Sequence, residues 1–380
     1  MKRTIYLDHA ATTRPFPEVL EAMLPFYGPY YGNPSAAYEL GEERKRAVEQ
    51  ARRIVAATLY TEPETIYFTS GGTESDNWAL RFGAGRGGKN PHIITSAIEH
   101  HAVLRTCEAL EKEGVRVTYL PVNRQGMVDP GALENAVCSD TVLISVMYAN
   151  NEIGTIQPVA QIGKIADRHG ILFHCDAVQA YGQLPIDPRR LGIDLLSASA
   201  HKFNGPKGIG FLYAGKELDL NPMISGGAQE RGMRAGTENV PGIVGLGKAA
   251  WTSHQMMQRR IRKETGLRNY FFRRLLREIP GIKLNGSAQM RLPNNVNCCI
   301  EGVNGGALVA LLDLEGICAS SASACSAGSS RPSHVQLAIG NSEKEAQSAV
   351  RFTLGPETAK EEIDITVDTL KRLIEKLRSM

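Results

Sequence analysis

A lysine that follows a strand-like segment is the residue of this chain best placed for covalent chemistry. Lys202 lies between an apolar run over 193–196 and a second strand-like run that begins at Ile209. Burial at such a strand end favours the neutral amine, which can form a Schiff base with an aldehyde cofactor. The alternative is an ordinary surface lysine in a loop, and this segment alone does not decide between the two.

The ends of other strand-like segments carry polar residues that suit a phosphorylated aromatic ligand. Ligands of an open parallel sheet bind beyond the carboxyl ends of its strands, so these residues would meet there. Thr73, preceded by two glycines at a helix start, can help to form a phosphate cup. His100 can stack on an aromatic ring and shuttle protons, and Asp176 can hold the proton of a pyridine nitrogen. The amides of Asn150 and Asn151 can bind a ring substituent or a carboxylate.

Each of these residues also has an ordinary structural explanation. Thr73 and Asp176 can be plain helix N-caps, and His100 can be a histidine at the start of a helix. The individual signals therefore leave the structural and the functional interpretation open.

Two downstream residues are further candidates. Cys325 lies in the segment 319–330, which consists of small residues without a bulky apolar anchor, so an exposed, nucleophilic thiol is expected. A spare thiol in a loop is the alternative. Arg351, flanked by apolar residues, is expected to pair with a carboxylate of the protein or of a substrate. The loop 226–239, rich in glycine and polar residues, is expected to cross a site or a subunit interface.

Strand-like and helix-like segments alternate along the chain, which predicts an α/β fold with a mostly parallel sheet and helices on both faces. Strands are predicted over 65–68, 92–95, 115–120, 141–148 and 171–175, and helices over 35–58, 74–82, 101–113 and 159–169. One long amphipathic helix over 245–278 leads into a shorter second part. That part is predicted to contain strands over 295–300 and 349–354 and helices over 305–314 and from 360 onwards.

The bulk composition is that of a soluble globular protein. The chain has 380 residues, of which 42% are hydrophobic and 22% charged, with a formal net charge of +3. This mild charge demands no polyanionic partner, and basic clusters such as 44–46 and 259–263 fall on helical patterns as solvated faces. No apolar run approaches the ~20 residues of a membrane span, and no signal peptide is recognised, so a cytoplasmic location is expected. Seven irregularly spaced cysteines predict neither a disulfide framework nor a metal site.

Taken together, these motifs resemble those of the cysteine desulfurases of the NifS/IscS type, within the fold-type I, class V aminotransferase-like enzymes that use pyridoxal 5'-phosphate. The resemblance runs from the segment 6–13 to the C-terminal helix. It implies a large domain over 15–255, with a mainly parallel seven-stranded sheet flanked by helices, and a smaller α/β domain formed by 1–14 and 256–380. The matching motifs are 32–35, 73–75, 99–100, 150–154, 176–179, 199–202, 234–237 and 323–325.

The resemblance implies roles for individual residues of these motifs. Lys202 resembles the Schiff-base lysine, and Cys325 resembles the cysteine that takes up sulfur as a persulfide. His100 resembles the acid/base histidine that stacks on the cofactor ring. The other cofactor ligands it implies are Thr73, Ser199 and His201 for the phosphate, Thr237 for the phosphate of the neighbouring subunit, Asp176 for the pyridine nitrogen, Gln179 for the ring hydroxyl, and Asn151.

The implied reaction converts L-cysteine to L-alanine and leaves sulfur on Cys325 for an acceptor protein, such as an iron–sulfur scaffold or a tRNA-thiolating enzyme. Asn151 and Arg351, helped by Asn33, would bind the substrate carboxylate, and His100 would accept the thiol proton. A homodimer without direct nucleic-acid or membrane contacts is expected. The alternatives are a selenocysteine lyase or another pyridoxal-phosphate β-eliminating enzyme, and, from a different class, an inactive scaffold that only binds partners.

Two positions depart from the family pattern. Tyr38 stands where a histidine is usual, and Ala228 replaces the third glycine of a run that begins at Gly226. Neither position carries a catalytic group, so the departures bear on the substrate channel rather than on activity. The segment after Cys325 has the length of the IscS-like subgroup, which favours direct delivery of sulfur to a partner protein.

Overall fold

A computed structural model describes residues 4–321 and 332–379 of the chain. In these two ranges the strands are β1 (Ile5–Tyr6), β2 (Ile66–Thr69), β3 (His92–Ser96), β4 (Arg116–Leu120), β5 (Thr141–Ser145), β6 (Leu172–Asp176), β7 (Leu195–Ser199), β8 (Gly210–Ala214), β9 (Ile282–Leu284), β10 (Asn295–Ile300), β11 (Ile317–Cys318), β12 (Ser320–Ser321) and β13 (Ala349–Thr353). The α-helices are α1 (Pro17–Met23), α2 (Glu39–Thr58), α3 (Gly72–Gly85), α4 (His101–Lys112), α5 (Pro130–Ala136), α6 (Val159–His169), α7 (Pro188–Leu191), α8 (Val240–Glu278), α9 (Gly305–Leu314), α10 (His334–Ala338), α11 (Glu343–Gln347) and α12 (Lys360–Arg378).

Seven strands form the large sheet, in the order β2-β8-β7-β6-β5-β3-β4. Neighbouring strands are parallel except at β8, which runs antiparallel to both β2 and β7. The central strands β6 and β7 are buried apart from the partly exposed Leu172 at the start of β6. Because such strands need cover on both faces, helices pack on both sides of the sheet. The predicted mainly parallel, seven-stranded α/β sheet is confirmed.

Helix α6 illustrates how the sequence sets an element and its end. Its buried residues Val159, Ile162 and Ile165 recur at helical spacing and form one apolar face toward the sheet. The helix ends at Gly170, which has a left-handed φ of 64° that glycine adopts without a steric penalty from Cβ. The bounds of α6 are those predicted from the sequence.

The smaller sheet is antiparallel and has the order β12-β13-β10-β9. The N-terminal strand β1 lies beside this part of the protein, because it pairs in parallel with β11. Leu7, Phe271, Phe352 and Leu370 belong to an apolar cluster separate from that of the large sheet. This separation supports our proposed division into a large domain over 15–255 and a small domain formed by 1–14 and 256–380. The long helix α8 contributes residues to both clusters.

The segments expected from periodicity all occur, with bounds that shift by a few residues. Helix α2 begins at Glu39 rather than at 35, because the residues before it form turns. The cysteines Cys107, Cys175, Cys298 and Cys299 are buried, as expected for free thiols that behave as small hydrophobes. Within the described ranges, no helix has the length and apolar character needed to cross a membrane. No group of histidine, cysteine and carboxylate side chains suited to a metal ion occurs there either.

Candidate active site

A cavity of about 660 Å³ opens at the carboxyl ends of the central strands, where the large sheet meets the N-terminal segment and the small sheet. The sequence predicted that the residues after these strands would converge, and they do. The predicted site residues that line the cavity are Thr73, His100, Asn151, Asp176, Gln179, Ser199, His201, Lys202 and Arg351.

Lys202 is positioned by a short 3₁₀ turn, Ala200–Lys202, that directly follows β7. Its Nζ atom donates hydrogen bonds to the carbonyl oxygens of Ala10 (2.6 Å) and Ala11 (2.8 Å). The side chain is half-buried and lies at the cavity wall. The N-terminal segment therefore holds the amine inside the cavity, which is the arrangement that a covalent role requires.

The N-terminus of α3 forms one end of the cavity. The first amides of a helix have no intrahelical acceptor, and the N-cap residue Gly71 provides no side-chain cap for them. A Cβ atom on Gly72 would come within 2.5 Å of the side chain of Val178, so only glycine fits there. With Thr73 and Ser199 lining the same end, this open helix terminus suits a phosphate group.

His201 completes this end of the cavity. Its Nδ1 atom lies 3.1 Å from the Oγ1 atom of Thr12. Burial, and then the charges of Lys202 and Lys207, lower the pKa of the ring to about 4. The ring is thus a neutral hydrogen-bonding partner for a phosphate at neutral pH.

Asp176 ends β6 and is buried at the cavity wall. Its Oδ1 atom accepts a hydrogen bond from the Val178 amide at 2.9 Å. Burial raises the pKa of this carboxyl to about 6, against the lowering effect of that amide and of Lys202. A cationic ring nitrogen would compensate the buried negative charge. Next to it, Gln179 donates from Nε2 to the carbonyl oxygen of Ala10 (3.1 Å).

His100 is the N-cap of α4 and faces the cavity. Its Nδ1 atom accepts a hydrogen bond from the Ala102 amide at 3.1 Å, so the hydrogen of the neutral ring is assigned to Nε2. Burial, and then the charge of Lys202, lower the pKa of the ring to about 4. Nδ1 can therefore take up a proton only when it releases the Ala102 amide.

The turn that carries His100 is fixed by a buried glutamate. Glu99 accepts hydrogen bonds from the Ser96 hydroxyl (2.5 Å) and from the Met147 amide (3.0 Å to each carboxyl oxygen). Burial raises the pKa of Glu99 to about 8. The end of β3 is thereby tied to the end of β5, and this tie sets where His100 stands.

Arg351 in β13 is buried and has the carboxylate partner that its sequence environment predicted. Its Nη2 atom lies 2.8 Å from Oδ1 of Asp8, and Nη1 donates to the carbonyl oxygen of Asn151 at 2.9 Å. The partner comes from the other end of the chain. Arg351 still lines the cavity, where its guanidinium charge favours a carboxylate ligand.

Three predicted site residues are not part of this cavity as the structure describes it. Asn33 and Thr237 are exposed and do not line it. Cys325 lies outside the described residues.

The loop that carries Thr237 is firmly anchored. Glu230 forms a buried two-pronged ion pair with Arg52, with Oε1 2.7 Å from Nη2 and Oε2 2.8 Å from Nη1. Arg234 pairs with Glu74 in the first turn of α3 at 2.9 Å. These two ion pairs thus fix the part of the loop that precedes Thr237.

The sequence analysis missed several residues of the cavity wall. Asp76, Met147, Lys207 and Ser320 line it, as do the residues Ala10–Thr12 of the N-terminal segment. Asp76 had a usable signal, because it follows Thr73 by three residues and so shares its face of α3.

Comparison with known proteins gives a consistent picture. The family described as aminotransferase class-V matches residues 5–366. A cysteine desulfurase IscS of Dictyoglomus turgidum is 50% identical over 100% of this chain and 97% of that protein. A cysteine desulfurase IscS of Methanosarcina thermophila is 49% identical over 100% of this chain and 94% of that protein.

Solved structures agree with these sequence relatives. A NifS-like protein superposes with a TM-score of 0.93 at 38% identity and covers 98% of this chain and 100% of its own. A structure described as SspA in complex with cysteine has a TM-score of 0.83 at 39% identity, over 94% of this chain and 100% of its own.

Proposed function

Since the chain belongs to the aminotransferase class-V family, we propose that it is a pyridoxal-phosphate-dependent cysteine desulfurase, which removes sulfur from L-cysteine and leaves L-alanine. The observation that carries this proposal is the convergence of Lys202, Asp176 and His100 on one cavity whose end is an open helix N-terminus. An amine, a buried carboxyl, an aromatic ring and an anion site are the groups that pyridoxal phosphate needs.

The residues present fit this cofactor. The amides at the start of α3, with Thr73, Ser199 and His201, would hold its phosphate. Asp176 would hold the proton of the pyridine nitrogen, since a buried carboxylate gains most from a fixed positive partner. Gln179 would contact the ring hydroxyl and His100 the ring face, with Asn151 beside them. When bound, pyridoxal phosphate supplies an aldehyde for an amine and a ring that withdraws electrons from the substrate Cα.

Lys202 is the proposed covalent anchor and the base that moves the Cα proton at Nζ. For this role it must leave the carbonyl oxygens of Ala10 and Ala11, which hold it in the structure. Arg351 and Asn151, with Asn33 from the loop before α2, would bind and orient the substrate carboxylate. The Asp8 carboxylate that now pairs with Arg351 keeps this guanidinium in place before substrate arrives.

Cys325 is the proposed sulfur acceptor. Its thiolate would attack the sulfur of the bound cysteine, so that an S–S bond forms while the Cβ–S bond of the substrate breaks. The thiol proton must be removed first, because the free thiol has an ordinary pKa of about 8.5. His100 is the proposed acceptor at Nδ1, once that atom releases the Ala102 amide. The resulting persulfide would pass to an acceptor protein, such as an iron–sulfur scaffold or a tRNA-thiolating enzyme.

The proposal includes a homodimer. Thr237 is exposed and does not line the cavity of its own chain, which is the placement expected of a phosphate ligand for a neighbouring subunit. A surface that exposes Leu24, Tyr27 and Tyr31 also supports association with a second copy. A cytoplasmic location belongs to the proposal as well, because a reducing compartment keeps the persulfide-forming thiol reduced.

The decisive experiment is to trap the cofactor. Protein purified with pyridoxal phosphate should be yellow, and borohydride should fix the cofactor to a single peptide that contains Lys202. Product analysis should then show alanine formed from cysteine. A label on a different lysine, or no label, would refute the proposed site. Turnover of selenocysteine but not of cysteine would favour a selenocysteine lyase instead.

A further inference from the structure

Asp76 is a buried carboxyl in the cavity wall to which the proposed mechanism gives no task. It lies near the start of α3, is 1% exposed, and lines the same cavity as Asp176. Its Oδ1 atom has no hydrogen-bond partner among the residues that the structure describes. A second buried carboxyl this close to the cofactor site calls for an explanation, because unpaired buried charges are strongly disfavoured.

A short chain of hydrogen bonds runs beside Asp76. The Ser145 hydroxyl lies 2.9 Å from Nδ1 of His174, and Nε2 of His174 lies 3.0 Å from the Ser197 hydroxyl. His174, in the middle of this chain, is its member next to Asp76. Burial lowers the pKa of His174 to about 3, so this histidine is neutral and cannot neutralise a carboxylate.

Among the residues that the structure describes, the groups that act on Asp76 carry no positive charge that would hold it ionised. Nε2 of the neutral His174 is 3.6 Å from Oδ1 of Asp76. Asp176 and Glu99 face it as further acids, while the Lys202 charge acts on Asp176. Burial first, and then the charge of Asp176, raise the pKa of Asp76 well above its usual value. In the register of the sheet, Ser197 lies directly opposite Asp176, so the chain that runs beside Asp76 also runs beside Asp176.

We propose that Asp76 is a positioning residue that stays a neutral carboxylic acid and closes the cavity wall next to Asp176. One negative charge, on Asp176, then remains to hold the proton of the cofactor ring, and no water reaches that carboxylate from the side of α3. This inference rests on the proposed function, because it takes Asp176 as the partner of the ring nitrogen.

The protonation state can be measured directly. Infrared difference spectra of the wild-type protein should contain the C=O band of a protonated buried carboxyl that moves in D₂O. One component of this band should persist at pH 8 and be lost in Asp76→Asn, whereas the component of Glu99, a second buried carboxyl with a raised pKa, is identified by its loss in Glu99→Gln. Identical carboxyl bands in the wild type and in Asp76→Asn would overturn the proposal, and this measurement needs no activity.

The effect of Asp76 on the cofactor can be measured by following the absorbance of bound pyridoxal phosphate as the pH is changed. In Asp76→Ala, water would solvate Asp176 and weaken its hold on the ring proton, so the midpoint should fall by at least ~0.5 unit. The affinity for the cofactor should fall about tenfold in the same variant. Asparagine is neutral and has the same shape as a protonated aspartate. In Asp76→Asn the midpoint should therefore lie within ~0.3 unit of the wild-type midpoint, and the affinity for the cofactor within about twofold of the wild-type affinity.

Two outcomes would reject the positioning role. If Asp76→Asn lowered the midpoint as much as Asp76→Ala, the residue would be ionised in the wild type. If Asp76→Ala matched the wild type, Asp76 would not act on the cofactor site. Asp176→Asn serves as the separate test of the proposed function: it should abolish the titration, and a normal titration in that variant would refute the role of Asp176 itself.

Discussion

The Nζ atom of Lys202 lies 2.6 Å from the carbonyl oxygen of Ala10, although 192 residues separate the two in the chain. The amine that we propose as the covalent anchor is therefore oriented by backbone atoms of the N-terminal segment. Because a carbonyl oxygen only accepts hydrogen bonds, it holds the amine without competing for covalent chemistry. In the proposed mechanism the amine leaves these carbonyl oxygens when it reacts.

Replacing Lys202 with Ala should reduce turnover to background, because both the covalent anchor and the Cα base are lost. The loss expected for such a group is at least ~10³-fold. Alanine production from cysteine measures it, with the exposed Lys164→Ala as the matched control at wild-type rate. Turnover above one-tenth of wild type in Lys202→Ala would contradict the assignment.

Replacing Cys325 with Ala should stop sulfur transfer while the protein remains yellow. The cofactor ligands are untouched by this change, so binding of pyridoxal phosphate should persist. Persulfide formation and sulfur delivery to an acceptor are the quantities to measure. Cys138→Ala is the control, since Cys138 is an exposed cysteine outside the cavity and its loss should leave sulfur transfer unchanged. Normal delivery by the Cys325 variant would show that sulfur takes another route.

Arg351→Lys should raise the KM for cysteine by roughly tenfold or more, because an ammonium cannot reproduce the planar, two-pronged recognition of a carboxylate. The absorbance of the bound cofactor should not change. Steady-state kinetics measure the effect, and Arg277→Lys, on an exposed arginine, is the control. An unchanged KM would mean that Arg351 serves only its ion pair with Asp8.

Glu230→Gln should lower the free energy of unfolding by about 3 kcal/mol, because it leaves the Arg52 guanidinium charged and buried without its main partner. Glu49→Gln provides a matched control on the same arginine: its carboxylate is 42% exposed, so its loss should cost less than ~1 kcal/mol. Urea unfolding at constant pH measures both. Equal effects for the two variants would show that burial does not decide the strength of this pair.

Glu99 should make the stability of the cofactor-free protein depend on pH. Its pKa is raised from 4.5 in the unfolded chain to about 8 in the folded protein. The unfolded state therefore loses this proton first as the pH rises, so the free energy of unfolding should decrease between pH 4.5 and 8. In Glu99→Gln this part of the decrease should be missing, whereas Glu357→Gln, exposed, should keep it. Urea unfolding at pH 5, 6.5 and 8 tests this, and identical slopes for all three proteins would refute it.

The sequence was sufficient for the sheet and for most of the cavity wall, because both follow from local patterns. Lys202, Asp176 and His100 lie at or shortly after the ends of strand-like runs, and parallel strands bring their carboxyl ends to one edge. This reasoning does not require knowing how deeply each side chain is buried, so the sequence was enough to predict that these residues lie close together.

What the sequence could not provide depends on contacts between distant segments. The Asp8 partner of Arg351 lies 343 residues away, and the carbonyl groups of Ala10 and Ala11 have no side-chain signature at all. In the sequence, Asp76 cannot be distinguished from an aspartate on the surface. It is buried only because α3 packs on the sheet. Such features follow from tertiary structure rather than from local pattern.

The pairing of β1 with β11 has a consequence for biosynthesis. The segment that ends beside Lys202 is translated before the seven-stranded sheet, yet the strands that hold it, β11 and β13, are translated after that sheet. Thr353 bonds to Leu7, His9 and Ala10, so these residues reach their final place only after β13 has been made. During translation the large domain can fold first, as N-terminal parts of a chain generally do. The nascent enzyme therefore passes through a stage in which its lysine pocket stands open on one side.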